Sequence, residues 1–227
     1  MVIPLDNCDG SSSINAAQAE AVAMRLARAA LILTVPSSLA RADDGGVVYA
    51  KKLDANLETF DHLVSTLDGC EFDNSAEMIA ELVEDFSTIS RLDIVNFFEQ
   101  LLFLWIMDCQ AVSLRSFALY RPNDGLCTLS PLVGVSPAFA ERGEVSASRF
   151  PITINNKSSK ICRSDFESAM RYMGLKDRII RITIEKMICS KERWLDIIST
   201  APISIELKAL FVEQITTRIN ILLKKRG

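Results

Sequence analysis

The feature that most constrains the fold is an apolar stretch that ends abruptly in a polar loop. The stretch is Leu101–Met107, LLFLWIM, and the loop after it reads DCQAVSLRS. Two short segments of alternating apolar and polar residues follow, SFALY and LCTLSPL, separated by the turn sequence Pro122–Gly125. Asp-Gly between two such segments predicts a β-hairpin, because the tight turn needs residues that accept left-handed backbone angles. The predicted order is a buried helix, a loop and a hairpin, closed by VGVSP.

Most of the remaining chain has helical periodicity. Apolar residues recur at helix spacing in six segments, Ala16–Ala30, Thr59–Leu67, Ser75–Phe86, Ile94–Met107, Leu175–Ile188 and Ser204–Leu223. Ser75 is the predicted N-cap of the third, and Ser164–Glu167 reads as a capping box of a further helix. Val47–Leu53 is predicted to be a strand. In the fourth segment, helix spacing puts Phe97, Leu101, Leu104 and Trp105 on one face, which we expect to be buried.

Composition excludes several classes of protein. The six cysteines form no C-x-x-C pair and His62 is the single histidine, so we expect no metal site. Scattered cysteines are typical of a reducing compartment, so we expect a cytoplasmic protein. The most apolar segment, Ile94–Met107, contains polar residues and is too short to span a bilayer, so no membrane association is expected.

The charge is spread unevenly along the chain. Between Asp43 and Glu99 there are 14 acidic and three basic residues, whereas Lys157–Trp194 contains ten basic and five acidic ones. A basic segment can attract nucleic acid, but here its residues alternate with apolar helix positions and no aromatic residues accompany them for base stacking. We therefore do not expect direct binding to nucleic acid.

The loop and the segment after the hairpin resemble two motifs of the HipA-like toxin kinases, bacterial Ser/Thr kinases of toxin–antitoxin systems. In that family the catalytic loop reads roughly N-x-D-x-H-x-K-N-F and the metal-binding segment reads P-L-Y-D-V. Aligned without a gap, Ala111 stands at the catalytic aspartate, Ser116 at the metal-binding asparagine and Gly134 at the metal-binding aspartate. Ser113 and Arg115 stand at the histidine and lysine of the loop. The chain thus matches the length and the flanking residues of both motifs but lacks the residues that carry out catalysis.

The resemblance extends over most of the chain from about Glu20 onward. Ala19–Ala27 is similar to a family helix whose glutamate, here Glu20, pairs with the ATP-binding lysine. Val48–Asp54 is similar to a strand that ends near the adenine site at the position of Asp54, and Ile152–Leu175 resembles the segment after the metal-binding aspartate. The family's Gly-rich loop has no counterpart, and Ile3 stands at the lysine position. The resemblance therefore implies that Glu20 has lost its lysine partner, and we leave open whether Glu20 keeps a structural salt bridge or lies on an exposed helix face.

These replacements remove what phosphoryl transfer requires. The reaction depends on metal ions that bridge the phosphates and on a carboxylate that orients the attacking hydroxyl. Alanine and glycine offer neither, and magnesium prefers several hard oxygen ligands, of which Ser116 supplies one hydroxyl. Loss of the base alone would cost on the order of 10²–10⁴ in rate. We expect no enzyme activity and no cofactor.

Several polar residues near these positions have both a functional and a structural interpretation. Asp108 lies three residues before Ala111 and could act as a displaced base, but it aligns with a family glycine, which favours a structural role. Asp124 fits the needs of a turn, and His62 fits an exposed helix face. For Arg115 we leave open an anion contact or an ordinary ion pair.

The sequence as a whole predicts an α+β, mainly α chain with a kinase-like C-lobe and a short β-hairpin. Residues 1–54 would form a truncated N-lobe remnant and residues 55–227 the helical C-lobe. The expected function is that of an inactive HipA-like pseudokinase, a regulator, scaffold or decoy that binds a related toxin kinase, an antitoxin or a second copy of itself. A split or unorthodox kinase completed by a partner chain, and a structural assembly protein that reuses the fold, remain alternatives.

Overall fold

The computed structural model describes residues 10–41, 47–52, 54–66, 73–122, 125–146 and 149–224. Its helices are α1 Gly10–Ala29, α2 Phe60–Ser65, α3 Ala76–Phe86, α4 Ser90–Ile106, α5 Ala138–Arg142, α6 Arg163–Tyr172, α7 Asp177–Cys189, α8 Lys191–Thr200 and α9 Ile205–Leu223. Its strands are β1 Ser37–Arg41, β2 Val47–Lys51, β3 Leu57–Thr59, β4 Ala118–Tyr120 and β5 Thr128–Leu129. A 3-10 turn, Leu114–Ser116, precedes β4. The mainly helical α+β prediction is confirmed.

Helix α4 is the centre of the structure. The predicted apolar face is buried, and so are most of the other positions between Phe97 and Met107, because α4 contacts α3, α7 and α9 as well as the strands. Edge-to-face ring pairs join it to its surroundings: Phe97 meets Phe117 before β4, Phe103 meets Trp194 of α8, and Trp105 meets Phe166 of α6. Such pairs add about 0.5–1.5 kcal/mol each beyond area burial.

The predicted hairpin is present and belongs to a three-stranded antiparallel sheet in the order β3-β4-β5. Leu119 pairs with Leu129, and Tyr120 with Thr128. Gly125 has a φ of 83°, as its turn position requires, while residues 123 and 124, including Asp124, lie outside the described residues. The predicted strand at Val47–Leu53 is β2, which pairs with β1 in a separate hairpin that the sequence did not reveal.

One further prediction needs correction. The capping box of α6 begins at Cys162 and not at Ser164, because the carboxylate of Asp165 accepts a hydrogen bond from the Cys162 amide at 2.9 Å. Helix α8 lies outside the six segments with clear periodicity, because its buried side chains are Trp194 and Ile198, too few for such a pattern.

Helix α1 lies directly against the helical body. The indole of Trp194 donates a hydrogen bond to the carbonyl of Leu26 at 2.9 Å, and α1 also contacts α5 and β2. Buried residues from α1 through α9 form one contiguous apolar cluster. The division at residue 54 therefore does not separate two cores within the described ranges, and as a domain boundary it stays a prediction. Among the helices described, none is long and apolar enough to cross a bilayer.

Candidate functional site: a kinase-type cleft without free carboxylates

The residues aligned with the catalytic positions meet at one cavity. It has a volume of about 190 Å³ and lies between α1, the end of β2, the loop after α4 and the segment 133–136. Ala111, Ser116 and Gly134 all contribute to its wall, together with Glu20 and Lys51. Three positions that are up to 23 residues apart in the sequence are thus brought to one place, as the alignment with the kinase motifs requires.

The loop after α4 keeps its shape through hydrogen bonds of its own serines. The Ser113 hydroxyl accepts from the Arg115 amide at 3.3 Å, and the Ser116 hydroxyl accepts from the Ser113 amide at 3.1 Å. The one side-chain oxygen left at a metal-binding position is therefore already engaged with the backbone. Ala111 is exposed at the mouth of the cavity, where its methyl group offers neither charge nor hydrogen bond.

Arg115 lines the cavity and is paired with a carboxylate. Its Nε lies 3.1 and 3.0 Å from the two carboxylate oxygens of Asp61 in α2, and its side chain is 81% exposed. Of the two interpretations left open by the sequence, the ordinary ion pair is the one observed.

Glu20 is part of a salt bridge, one of the two possibilities that the sequence left open. Its carboxylate pairs with Lys51 Nζ at 2.5 Å, and its Oε1 also accepts a hydrogen bond from the Val135 amide at 3.3 Å. The sequence did not indicate Lys51 as the partner, because this residue lies at the end of a strand that the resemblance places near the adenine site. The aligned lysine position, Ile3, lies outside the described residues. A local sequence pattern cannot reveal a pair whose members are joined by the tertiary fold.

Gly134 lies directly beside this pair. A Cβ atom added at Gly134 would contact the Lys51 ammonium and would approach Glu20 Oε1 to 2.7 Å, which is closer than real side chains come. The φ of Gly134 is not in the left-handed region, so a larger residue here would have to displace the side-chain ends of Lys51 and Glu20 but would not strain the backbone. The position of the family's metal-binding aspartate is thus occupied by an ammonium group.

Asp108 has a structural role. Its side chain is buried and forms ion pairs with Arg142 of α5 and, at 3.5 Å, with Arg218 of α9; Gln110 also donates to it at 2.9 Å. Its φ of 54° is left-handed, which explains why a glycine stands at this place in the family pattern. Held between two arginines, the carboxylate does not line the cavity.

Cys109 lines the cavity but is not a nucleophile. Burial, and next the negative charge of Asp108, raise the pKa of the Cys109 thiol. The thiol therefore stays neutral at physiological pH, and the thiolate is the reactive form.

A second cavity, of about 330 Å³, lies on the other side of the β2 end. Asp54 belongs to this one, together with Lys52, Leu57, Tyr120 and Pro131. The Asp54 carboxylate accepts a hydrogen bond from the Asn56 amide at 2.9 Å and is exposed, so it shapes a turn and does not reach the first cavity.

The remaining candidates are not part of a catalytic arrangement. His62 is exposed on α2, where Nδ1 lies 3.4 Å from a carboxylate oxygen of Glu58. Across the part of the chain that the structure describes, no group of three or more potential metal ligands comes together. The residue that sequence reasoning missed is Lys51, and its one signal was that it is among three basic residues in the acidic region 43–99.

Solved kinase structures share this architecture. The chain is similar to the proinflammatory kinase CtkA of Helicobacter pylori with a TM-score of 0.70 and 11% sequence identity, over 92% of this chain and 84% of that one. It is also similar to HipA in the complex of the Shewanella oneidensis MR-1 toxin–antitoxin system HipA, HipB and its operator DNA, with a TM-score of 0.67 and 9% identity over 92% of this chain. The chain spans 56% of the length of that HipA.

The fold is therefore that of a HipA-like kinase. No family model and no curated protein matches the sequence.

Proposed function

We propose that this chain is a catalytically inactive protein with a HipA-like kinase fold, which acts by binding another protein as a regulator, scaffold or decoy in a toxin–antitoxin-type system. The observation that carries the proposal is the make-up of the cavity. Among the described residues that line it, Glu20 is the sole carboxylate, and it is held by Lys51 and the Val135 amide.

The physical argument is about charge and ligands. A kinase must hold metal ions against the phosphates and must place a base beside the attacking hydroxyl. Ala111 and Gly134 supply no oxygen ligand, and the Ser116 hydroxyl is bonded to the backbone. Asp108, the acidic residue nearest in sequence, lies between two arginines and away from the cavity. Neither requirement for phosphoryl transfer is met by these side chains.

The class of partner is proposed from the fold. We infer that a chain with the architecture of a kinase lobe and no catalytic residues acts by binding another protein. The HipA to which it is similar was solved in a complex with HipB and operator DNA. From this we propose that the partner is a related toxin kinase, an antitoxin or a second copy of the chain. We do not expect the chain itself to contact DNA.

The experiment that tests the proposal is co-purification of the tagged chain with each protein encoded beside its gene, followed by measurement of stoichiometry. A complex of defined stoichiometry with an intact kinase, an antitoxin or a second copy of the chain is the expected result. Assembly into large particles with no neighbour bound contradicts the proposal and favours the structural assembly protein.

Phosphoryl transfer is expected to be absent. The pure chain, incubated with radiolabelled ATP and magnesium, should neither label itself nor label a partner, because the base and metal ligands are missing. Adding an N-lobe from another chain should change nothing, since it would not supply carboxylates at residues 111 and 134. Incorporation of label that vanishes in Asp108→Asn would contradict the aligned register and favour an unorthodox kinase.

A further inference from the structure

One contact in the cleft joins residues that the family motifs do not pair, because Glu20, whose counterpart in the family pairs with the ATP-binding lysine, here pairs with Lys51. The ammonium of Lys51 lies where a side chain at position 134 would project, and Glu20 holds it at 2.5 Å. Both members of the pair are mostly shielded from water, with Glu20 buried and Lys51 half-buried. Three parts of the fold meet in this contact: the end of β2, helix α1 and the segment around Gly134 and Val135.

We propose that the Lys51 ammonium is the built-in cation of this cleft and occupies the position of a catalytic metal ion, so that the cleft is closed to divalent metals by the chain itself. The proposal rests on the inactive-kinase function for its interpretation of the cavity. It adds that the absence of a carboxylate at position 134 and the presence of Lys51 are energetically coupled.

The charges are consistent with a lysine ammonium in place of a metal ion. A divalent cation with one carboxylate carries a single net positive charge, and so does a lysine ammonium beside a glycine. The ammonium is a compact charge with three donors, and here one of its neighbours is the buried Glu20 carboxylate. Without Lys51, that carboxylate would be buried without a countercharge, which is costly. The ammonium therefore neutralises Glu20, which leaves no free carboxylate for a metal ion, and it occupies the space beside Gly134.

The room around Gly134 also supports the proposal. Both atoms that a Cβ at residue 134 would meet are the ends of the Lys51 and Glu20 side chains, and Glu20 is tied to the Val135 amide. A side chain at position 134 must therefore push the ion pair apart. Because Gly134 has no side chain, there is room for the Lys51 ammonium, and the ammonium occupies that room.

A double-mutant cycle tests the coupling. Gly134→Ala is expected to lower the folding equilibrium constant about tenfold in the wild-type background but less than about threefold in Lys51→Ala, because neighbouring groups act non-additively. Lys52→Ala is the matched control: this lysine is the next residue, is exposed and lines the other cavity. In that background Gly134→Ala should keep its full cost. An equal cost of Gly134→Ala in the Lys51→Ala and Lys52→Ala backgrounds would overturn the proposal.

A second measurement uses Mn²⁺ alone as the probe. Gly134→Asp should not bind Mn²⁺, because Lys51 pairs with the introduced carboxylate. Lys51→Met combined with Gly134→Asp leaves Glu20 and the introduced carboxylate without an ammonium, and this variant should bind Mn²⁺ in titration calorimetry. Binding by both variants, or by neither, contradicts the proposal. Because neither measurement involves phosphoryl transfer or a partner, their outcome is independent of the test of the proposed function.

Discussion

Replacing Asp108 with asparagine is expected to lower the free energy of unfolding by about 3–5 kcal/mol, the usual cost of removing one partner from a buried ion pair. The variant isolates the charge, since asparagine has nearly the same shape and tolerates the left-handed φ of 54° observed at this position. What remains is Arg218, whose side chain is 12% exposed and lies 4.6 Å from the centre of the Trp105 ring, without its countercharge. Urea denaturation measures the effect.

Asp177→Asn is the matched control for that variant. Asp177 pairs with Arg171 at 2.9 Å, but its side chain is 81% exposed, and ion pairs of this kind contribute about 0–1 kcal/mol. If Asp108→Asn cost no more than Asp177→Asn, the carboxylate of Asp108 would be hydrated in solution. It could then reach the cavity, and the structural role assigned to it would be wrong.

Leu101→Ala is expected to cost roughly 2–5 kcal/mol through lost transfer energy and a residual cavity. Leu101 is fully buried near the middle of α4, which itself is packed against α3, α7 and α9. A helix surrounded on all sides leaves little room for neighbours to collapse into the space, so the loss should lie in the upper part of that range. Chemical denaturation gives the value.

Ala111→Asp is the contrasting variant. Position 101 contributes to the packing of the core, whereas position 111 aligns with the family's catalytic aspartate. Ala111 is exposed, so a carboxylate there stays hydrated and the stability should change by less than about 0.5 kcal/mol. The variant should remain inactive, since Gly134 and Ser116 still hold no metal. If Ala111→Asp unfolded the protein while Leu101→Ala were harmless, the architecture described above would be wrong.

The sequence predicted those parts of the fold that are determined locally. The N-cap Ser75 was predictable because its hydroxyl precedes an apolar periodic segment, and it accepts the expected amide hydrogen bond from Met78 at 3.2 Å. The hairpin of β4 and β5 was also predictable from a local pattern, the turn sequence Asp-Gly between two alternating segments. Helix α8 and strand β1 were not visible, because each depends on contacts with distant elements more than on its own pattern.

The candidate site could be predicted in its positions but not in its contacts. An ungapped alignment was enough to place Ala111, Ser116 and Gly134, and these three residues do line one cavity. The pair of Lys51 with Glu20 depends on how β2 lies against α1, and the pairs of Asp108 depend on α5 and α9. No spacing along the chain encodes such contacts, so the sequence left open whether Glu20 has a salt bridge and did not indicate Lys51 as its partner.

The central claim is that this kinase fold has a cleft that does not bind ATP with magnesium. Thermal denaturation in the presence of both tests it most directly, because a ligand at a hundredfold excess over its dissociation constant stabilises a protein by about 2.7 kcal/mol. ATP alone and magnesium alone are the controls. We predict the same melting temperature in all conditions, and a clear rise that requires ATP and magnesium together would contradict the claim.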